Sequence, residues 1–127
     1  DVFSRFWTLA DIALPTFDDE HALWGDATPA ATIERLAALG VQEIVVKCGG
    51  DGAHVFANGR TDHVPCPAVV TAIDTTAAGD SFNAAYLAAR NGGASATDAA
   101  LSGHKLAAVV IQHRGAIVPK SATTAAL

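Results

Sequence analysis

The residues best suited to chemistry lie in the stretch Val70-Thr-Ala-Ile-Asp74-Thr75-Thr76-Ala77-Ala78-Gly79-Asp80-Ser81-Phe82. Small side chains let a backbone approach a ligand closely, and N–H groups at a helix start, aided by the helix dipole, favour an anion. A carboxylate at Asp80, in the first turn of the helix expected here, then has two readings. It can cap the helix. It can also serve as a base that takes the proton from an attacking hydroxyl while the turn neutralises charge on a transferring phosphoryl group.

Three further places hold suggestive residue types. Lys47-Cys48-Gly49-Gly50-Asp51-Gly52 is a glycine turn after a strand; a tight hairpin connection accounts for it, and it lacks the Gly-Lys-Ser/Thr ending of a Walker A loop. Asp18, Asp19 and Glu20 stand together at a helix start, where a solvated, dipole-favoured cluster is the ordinary explanation. Gly103, in Ser102-Gly103-His104-Lys105, sits within a helix pattern at a cost of about 1 kcal/mol relative to alanine, which implies a close neighbour. The histidines form no HxxxH or HExxH pattern, and no Gly-x-Ser-x-Gly is present, so histidine-based metal ligation and a serine hydrolase find no support.

The elements that must position these residues alternate in type. A short strand over 10–15 ends at Pro15, and a short helix from Asp18 to about Trp24 stops at Gly25. Thr28-Pro29 supplies an N-cap and a first-position proline for a helix striped by Ile33, Leu36, Ala37 and Leu39 and stopped by Gly40. The strand 43–48 follows, then a hairpin of strands 53–57 and 61–64 around Asn58-Gly59. After Pro65 and Pro67 come a strand over 68–73, a helix over 79–90 closed by Gly92-Gly93, and a helix from Ser95 to about His113, with Asp98 as an approximate capping-box partner. This alternation predicts an α/β fold: a layered, largely parallel sheet with flanking helices and an antiparallel hairpin, organised as one domain over 1–127.

Composition narrows the function classes. Half of the 127 residues are apolar and 17% are charged, which excludes a disordered tail. The net charge of -5, without a Lys/Arg cluster, argues against nucleic acid or an anionic membrane as partner. Cys48 and Cys66 match no zinc or redox spacing and are expected as free thiols in a cytoplasmic protein. No apolar run is long enough to span a bilayer, and the start is not a signal peptide. The absence of an initiator Met is read as the mark of a fragment or a processed product.

Asp74-Thr-Thr-Ala-Ala-Gly-Asp80-Ser-Phe82 resembles the C-terminal signature of the ribokinase-like (PfkB-type) carbohydrate kinases. The extension Asn83-Ala-Ala-Tyr-Leu-Ala-Ala-Arg90 is similar to the 2-keto-3-deoxygluconate kinase branch. The resemblance implies an anion hole from the backbone of Ala77, Ala78, Gly79 and Asp80, with Asp80 as the base that activates a primary hydroxyl of the sugar. Asp74 matches a position that in many relatives helps bind a monovalent cation such as K+; anchoring the turn is an equal alternative. The segment Cys48, Gly49, Gly50, Asp51, Gly52 would lie along ATP, and His104 would touch the adenine. The family's Asn-x-x-Glu element, which orders Mg2+ and its waters, falls on Thr16 and Asp19, with Glu20 the second choice. Backbone carbonyls of Gly115 and Ala116 would face the cation. Only the C-terminal part of the family's fold is covered. Its N-terminal sheet, most sugar contacts and its lid are missing, so this chain alone is expected to be inactive or weak. Kinases of the same family acting on fructose, ribose or a nucleoside, and a non-catalytic nucleotide-binding fragment, remain the alternatives; a homo-oligomer of the full-length protein is left open.

Overall fold

Residues 2–67 and 70–124 are described by the computed structural model. The chain divides into two compact units, Asp1–Val64 and Pro65–Leu127. The first unit contains helices α1 (Val2–Trp7), α2 (Phe17–Trp24) and α3 (Pro29–Ala38) and strands β1 (Ile12–Ala13), β2 (Glu43–Lys47), β3 (Ala53–Ala57) and β4 (Arg60–Val64). The second contains α4 (Ala78–Asn91), α5 (Ala96–Val110) and α6 (Lys120–Thr124).

The sheet runs in the order β1-β2-β3-β4. β1 pairs with β2 in parallel, Ile12 opposite Glu43, and the two β-hairpin pairings beyond it are antiparallel. The α/β class and the flanking helices therefore stand. Among the described strands, however, parallel pairing is confined to β1 with β2, because tight turns lead into and out of β3 and leave no room for a crossover helix. Pro15 stops β1 as its missing N–H dictates, yet its carbonyl still accepts from Lys47 N–H at 2.9 Å, and Thr16 bridges Lys47 in parallel. The chain thus delivers the start of α2 to the C-terminal end of β2. There the glycine turn begins.

Local signals account for most boundaries in this unit. Thr28 accepts from Ala31 N–H at 3.2 Å, and Pro29 opens α3. Asn58 and Gly59 both adopt positive φ (52° and 74°), as a two-residue hairpin loop requires. Ile33 and Leu36 of α3 pack on Ala13, Val41, Ile44 and Val46, with Trp7, Phe17 and Phe56 at the margin. β2 is buried along Glu43–Val46 rather than on alternate residues, the pattern of a strand covered on both faces.

In the second unit, α5 is capped by Ser95, whose hydroxyl accepts from Asp98 N–H at 3.1 Å and donates to the Asp98 carboxylate at 2.7 Å. The capping-box pair forms, but the acid bonds the serine hydroxyl rather than a backbone N–H. α5 ends at Val110 instead of continuing to His113. Alanines on α4 and α5 allow the two helices to approach closely, with Ala85, Leu106 and Val110 clustered and Val118 against them. Gly103 meets the close neighbour its cost implied: a Cβ there would lie 2.7 Å from Phe82 Cδ2. Of the strand expected over 68–73, Ala68 and Val69 lie outside the described residues, and 70–73 are irregular. Their ladder is replaced by bonds from Ile73 and Asp74 N–H to the Ile111 carbonyl, at 2.7 and 3.1 Å.

Candidate functional site

The turn from Asp74 to Asp80 is shaped by backbone rules and one carboxylate. Ala77, the N-cap of α4, sits in the left-handed region (φ 62°, ψ 14°), which is unfavourable for a residue with a Cβ. Its side chain cannot cap, and Asp80 does not cap either: no described residue bonds the Asp80 carboxylate, which is exposed in the first turn. Among the described residues, no acceptor meets the N–H groups of Ala77, Gly79 or Asp80. Ala78 N–H instead closes the turn onto the Thr75 carbonyl at 3.1 Å. The start of α4 therefore presents open donors and the positive end of a helix dipole beside an unengaged carboxylate. That combination suits an anion and a proton acceptor side by side.

Asp74 ties this turn to the exit of α5. One carboxylate oxygen accepts from Thr76 N–H at 2.9 Å and the other from Gly115 N–H at 2.8 Å. The Thr76 side chain, the Gly115 N–H and the Thr76 N–H hold its carboxyl down at about 2, so it is ionised throughout the physiological range. Gly115 has φ 78°, which allows its N–H to face the acid. The anchoring reading of Asp74 is thus a geometric fact, and the loop expected to offer carbonyls from Gly115 and Ala116 offers at least one N–H.

His104 is buried at 5% exposure. Its Nδ1 lies 3.4 Å from Cys66 Sγ, and the Phe82 ring meets it edge-on at 5.1 Å between centroids. Phe82 in turn stacks on Tyr86 at 6.2 Å. The ring that the resemblance places against the adenine is here enclosed on α5 against Phe82 of α4. Burial pushes the Cys66 thiol up, so it is a weak nucleophile.

In the first unit, Cys48–Gly52 leaves β2 as a single 3-10 turn, Gly49–Asp51. Gly49 (φ 55°) and Gly52 (φ 96°, ψ -147°) adopt backbone shapes that favour glycine. Cys48 N–H donates to the Gly52 carbonyl at 2.8 Å and closes the loop. Burial first, then the charges of Asp51 and Asp18, raise the Cys48 thiol, which puts Asp18 within electrostatic range of this turn.

The three acids at the start of α2 separate cleanly. Glu20 is 6% exposed and bonds Arg35 Nη2 at 2.5 Å. Arg35 also holds Asp26 through Nε and Nη2, with the latter at 2.7 Å from Oδ2, and lies 5.1 Å over the Trp24 ring. Thr32 donates to Asp26 at 2.8 Å. The Arg35 guanidinium holds the Asp26 carboxyl below its usual range, against the opposing effect of burial. Sequence reading missed this network, because its members are distant in sequence and no local pattern pairs them. It engages the Glu20 carboxylate with Arg35, while Asp18 and Asp19 are exposed. Among the described residues no group of three or more ligating side chains could hold a metal directly. One exposed carboxylate fits Mg2+ through the ion's retained waters, and nothing closer.

A family model described as the pfkB family of carbohydrate kinases matches residues 1–123. The chain belongs to that family. It is 48% identical over 128 residues to the 2-dehydro-3-deoxygluconokinase of Escherichia coli K12, covering 98% of this chain and 41% of that protein. It therefore spans about two-fifths of the length of that curated relative. An E. coli structure described as a ribokinase II in complex with ATP and Mg2+ superimposes with a TM-score of 0.81 at 30% identity, over 91% of this chain and 37% of that one. An adenosine kinase from Sinorhizobium meliloti shares the fold at a TM-score of 0.88 and 24% identity, over 99% of this chain and 39% of that one. No helix among the described residues is long and apolar enough to cross a membrane.

Proposed function

We propose that the protein carrying this chain is an ATP-dependent kinase that transfers the γ-phosphate to the primary hydroxyl of 2-keto-3-deoxygluconate, with Asp80 as general base. The observation that carries the reading is the start of α4: open N–H donors at Ala77, Gly79 and Asp80 beside a carboxylate with no bond to any described residue. The 48% identity to a 2-dehydro-3-deoxygluconokinase supports the choice of substrate.

In this reading Asp80 accepts the proton of the attacking hydroxyl, and the three N–H groups stabilise charge on the transferring phosphoryl group. Asp74 holds the turn in shape through Thr76 and Gly115. Its permanent charge also suits a monovalent cation such as K+ at this junction. The Cys48–Gly52 turn lies along the nucleotide. His104, enclosed by Phe82 and Cys66, would act through the face that α4 and α5 present. Mg2+ would offset charge on the phosphates when bound, and Asp19 is the carboxylate assigned to its water shell. Both units are taken as parts of one C-terminal nucleotide-binding and catalytic part of a cytoplasmic enzyme.

An ADP-release assay on the intact protein with a panel of sugars and sugar acids tests the substrate. Preference for fructose, ribose or a nucleoside would leave the kinase and remove the substrate assignment. ATP binding without turnover on any acceptor would favour a non-catalytic module. Asp80→Asn is expected to lower kcat by about 10²–10⁴-fold with ATP affinity retained. A variant with near-normal kcat would exclude Asp80 as the base.

A further inference from the structure

The turn assigned to the nucleotide is built almost wholly from backbone. Besides the Cys48–Gly52 closure, Asp51 N–H donates to the Cys48 carbonyl at 3.0 Å and Gly52 N–H to the Gly49 carbonyl at 3.3 Å. With glycine at 49, 50 and 52, those bonds restrain a segment of high intrinsic freedom. A side chain from another element adds to them. His63, on β4, places Nε2 2.8 Å from the Asp51 carbonyl oxygen. A carbonyl can only accept, so Nε2 carries the hydrogen and donates.

The hairpin register explains why His63 arrives there. Ala53 pairs with Val64 and His54 with His63, so the far end of β4 runs beside the exit of the turn. The His54 ring abuts His63, with centroids 4.9 Å apart and planes tilted by 50°, which limits the rotamers His63 can adopt. An exposed, long-range bond to a carbonyl adds little to the stability of a hairpin that already has its full ladder. Its evident geometric effect is to fix the orientation of the Asp51–Gly52 peptide.

We propose that His63 is a positioning residue for the nucleotide: by holding the Asp51 carbonyl, it keeps the Gly49–Gly52 turn in the shape that ATP meets. This rests on the nucleotide role assigned to that turn above, and the test separates the two. ATP affinity by calorimetry, KM and kcat are measured on the intact protein for His63→Ala, His63→Gln and Gly52→Ala, with thermal unfolding alongside.

His63→Ala should raise Kd and KM for ATP by about two- to tenfold, the effect of losing one hydrogen bond, with kcat and the KM of the sugar substrate little changed. His63→Gln should recover most of the loss, because its side-chain amide N–H can reach the same carbonyl. Gly52→Ala, strained at φ 96°, should weaken ATP binding more than His63→Ala does. Unchanged affinity in His63→Ala with weakened binding in Gly52→Ala overturns the role of His63 and keeps the turn. Unchanged affinity in both removes the turn from the nucleotide site and the proposal with it. A parallel fall in stability, kcat and affinity in His63→Ala, without recovery in His63→Gln, makes the residue structural and overturns the proposal as well.

Discussion

Alanine at position 103 would place its methyl carbon 2.7 Å from Phe82 Cδ2 and 2.8 Å from Cε2 and Cγ. The contact reaches Cγ, at the root of the ring, so a small swing of the ring edge cannot relieve it. Phe82 is also held by Tyr86 at 6.2 Å and His104 at 5.1 Å between centroids. Two effects oppose each other. The helix gains about 1 kcal/mol from replacing glycine. Overpacking a filled site costs about 1–3 kcal/mol. With backbone-proximal atoms in the clash, the cost falls in the upper part of its range and Gly103→Ala should destabilise by about 1–2 kcal/mol net. Urea unfolding of the intact protein measures this, and Phe82→Ala supplies the partner for a double-mutant cycle. The two changes should couple favourably by about 1 kcal/mol or more, since alanine at position 82 lacks the Cγ, Cδ2 and Cε2 atoms that the added methyl would meet. A Gly103→Ala protein as stable as its parent, or no coupling, would show that α4 and α5 are not so tightly apposed. Because Phe82 follows Asp80 closely on α4, the same variant should also lose activity if Asp80 is the base proposed above, by up to about 100-fold for a shift on the order of 1 Å at its carboxylate.

Ala77→Gly should stabilise the fold by up to about 1 kcal/mol: relief of the left-handed alanine is worth about 1–2 kcal/mol, less the added freedom of the unfolded chain. A loss of stability by urea unfolding would contradict the strain at φ 62°. Arg35→Met strands Glu20 and Asp26 as buried carboxylates and should destabilise by about 3 kcal/mol, with Glu20→Gln and Asp26→Asn added together recovering much of it. The pH dependence of Asp74 has a defined sign. Its carboxyl is held at about 2 against an ordinary 3.8, so its contribution is present above about pH 4 and is lost as pH falls from there toward 2. Asp74→Asn should flatten that acid limb in unfolding measured across this range; an unchanged slope would mean that the Thr76 and Gly115 bonds do not persist in solution.

Elements announced by local chemistry were legible. Thr28-Pro29, Asn58-Gly59 and Ser95 with Asp98 each specify a dihedral or a capping bond within a few residues, and each element formed where these signals placed it. The open start of α4 was also readable, since small residues and a helix onset are local facts. Features that depend on distant partners were not. α1 is only six residues long, so the apolar spacing of Val2, Phe3, Phe6 and Trp7 is too short a pattern to have marked a helix. The irregular backbone at 70–73 follows from bonds to Ile111, a partner that no pattern near Ile73 announces. Arg35 could be recognised as the partner of Glu20 and Asp26 only after α2 and α3 were brought together around Gly25. The enclosure of His104 likewise required knowing that Gly103 admits Phe82.

The bond from Gly115 to Asp74 spans 41 positions of sequence. Tolerance to change should follow that bond rather than distance along the chain. Inserting or deleting one residue between Gln112 and Gly115, in what looks like an ordinary surface connection, would pull on the head of the Asp74–Asp80 turn. A library of insertions across this chain should therefore find the 112–115 segment as intolerant as the signature itself, while the Asn58-Gly59 loop accepts them freely.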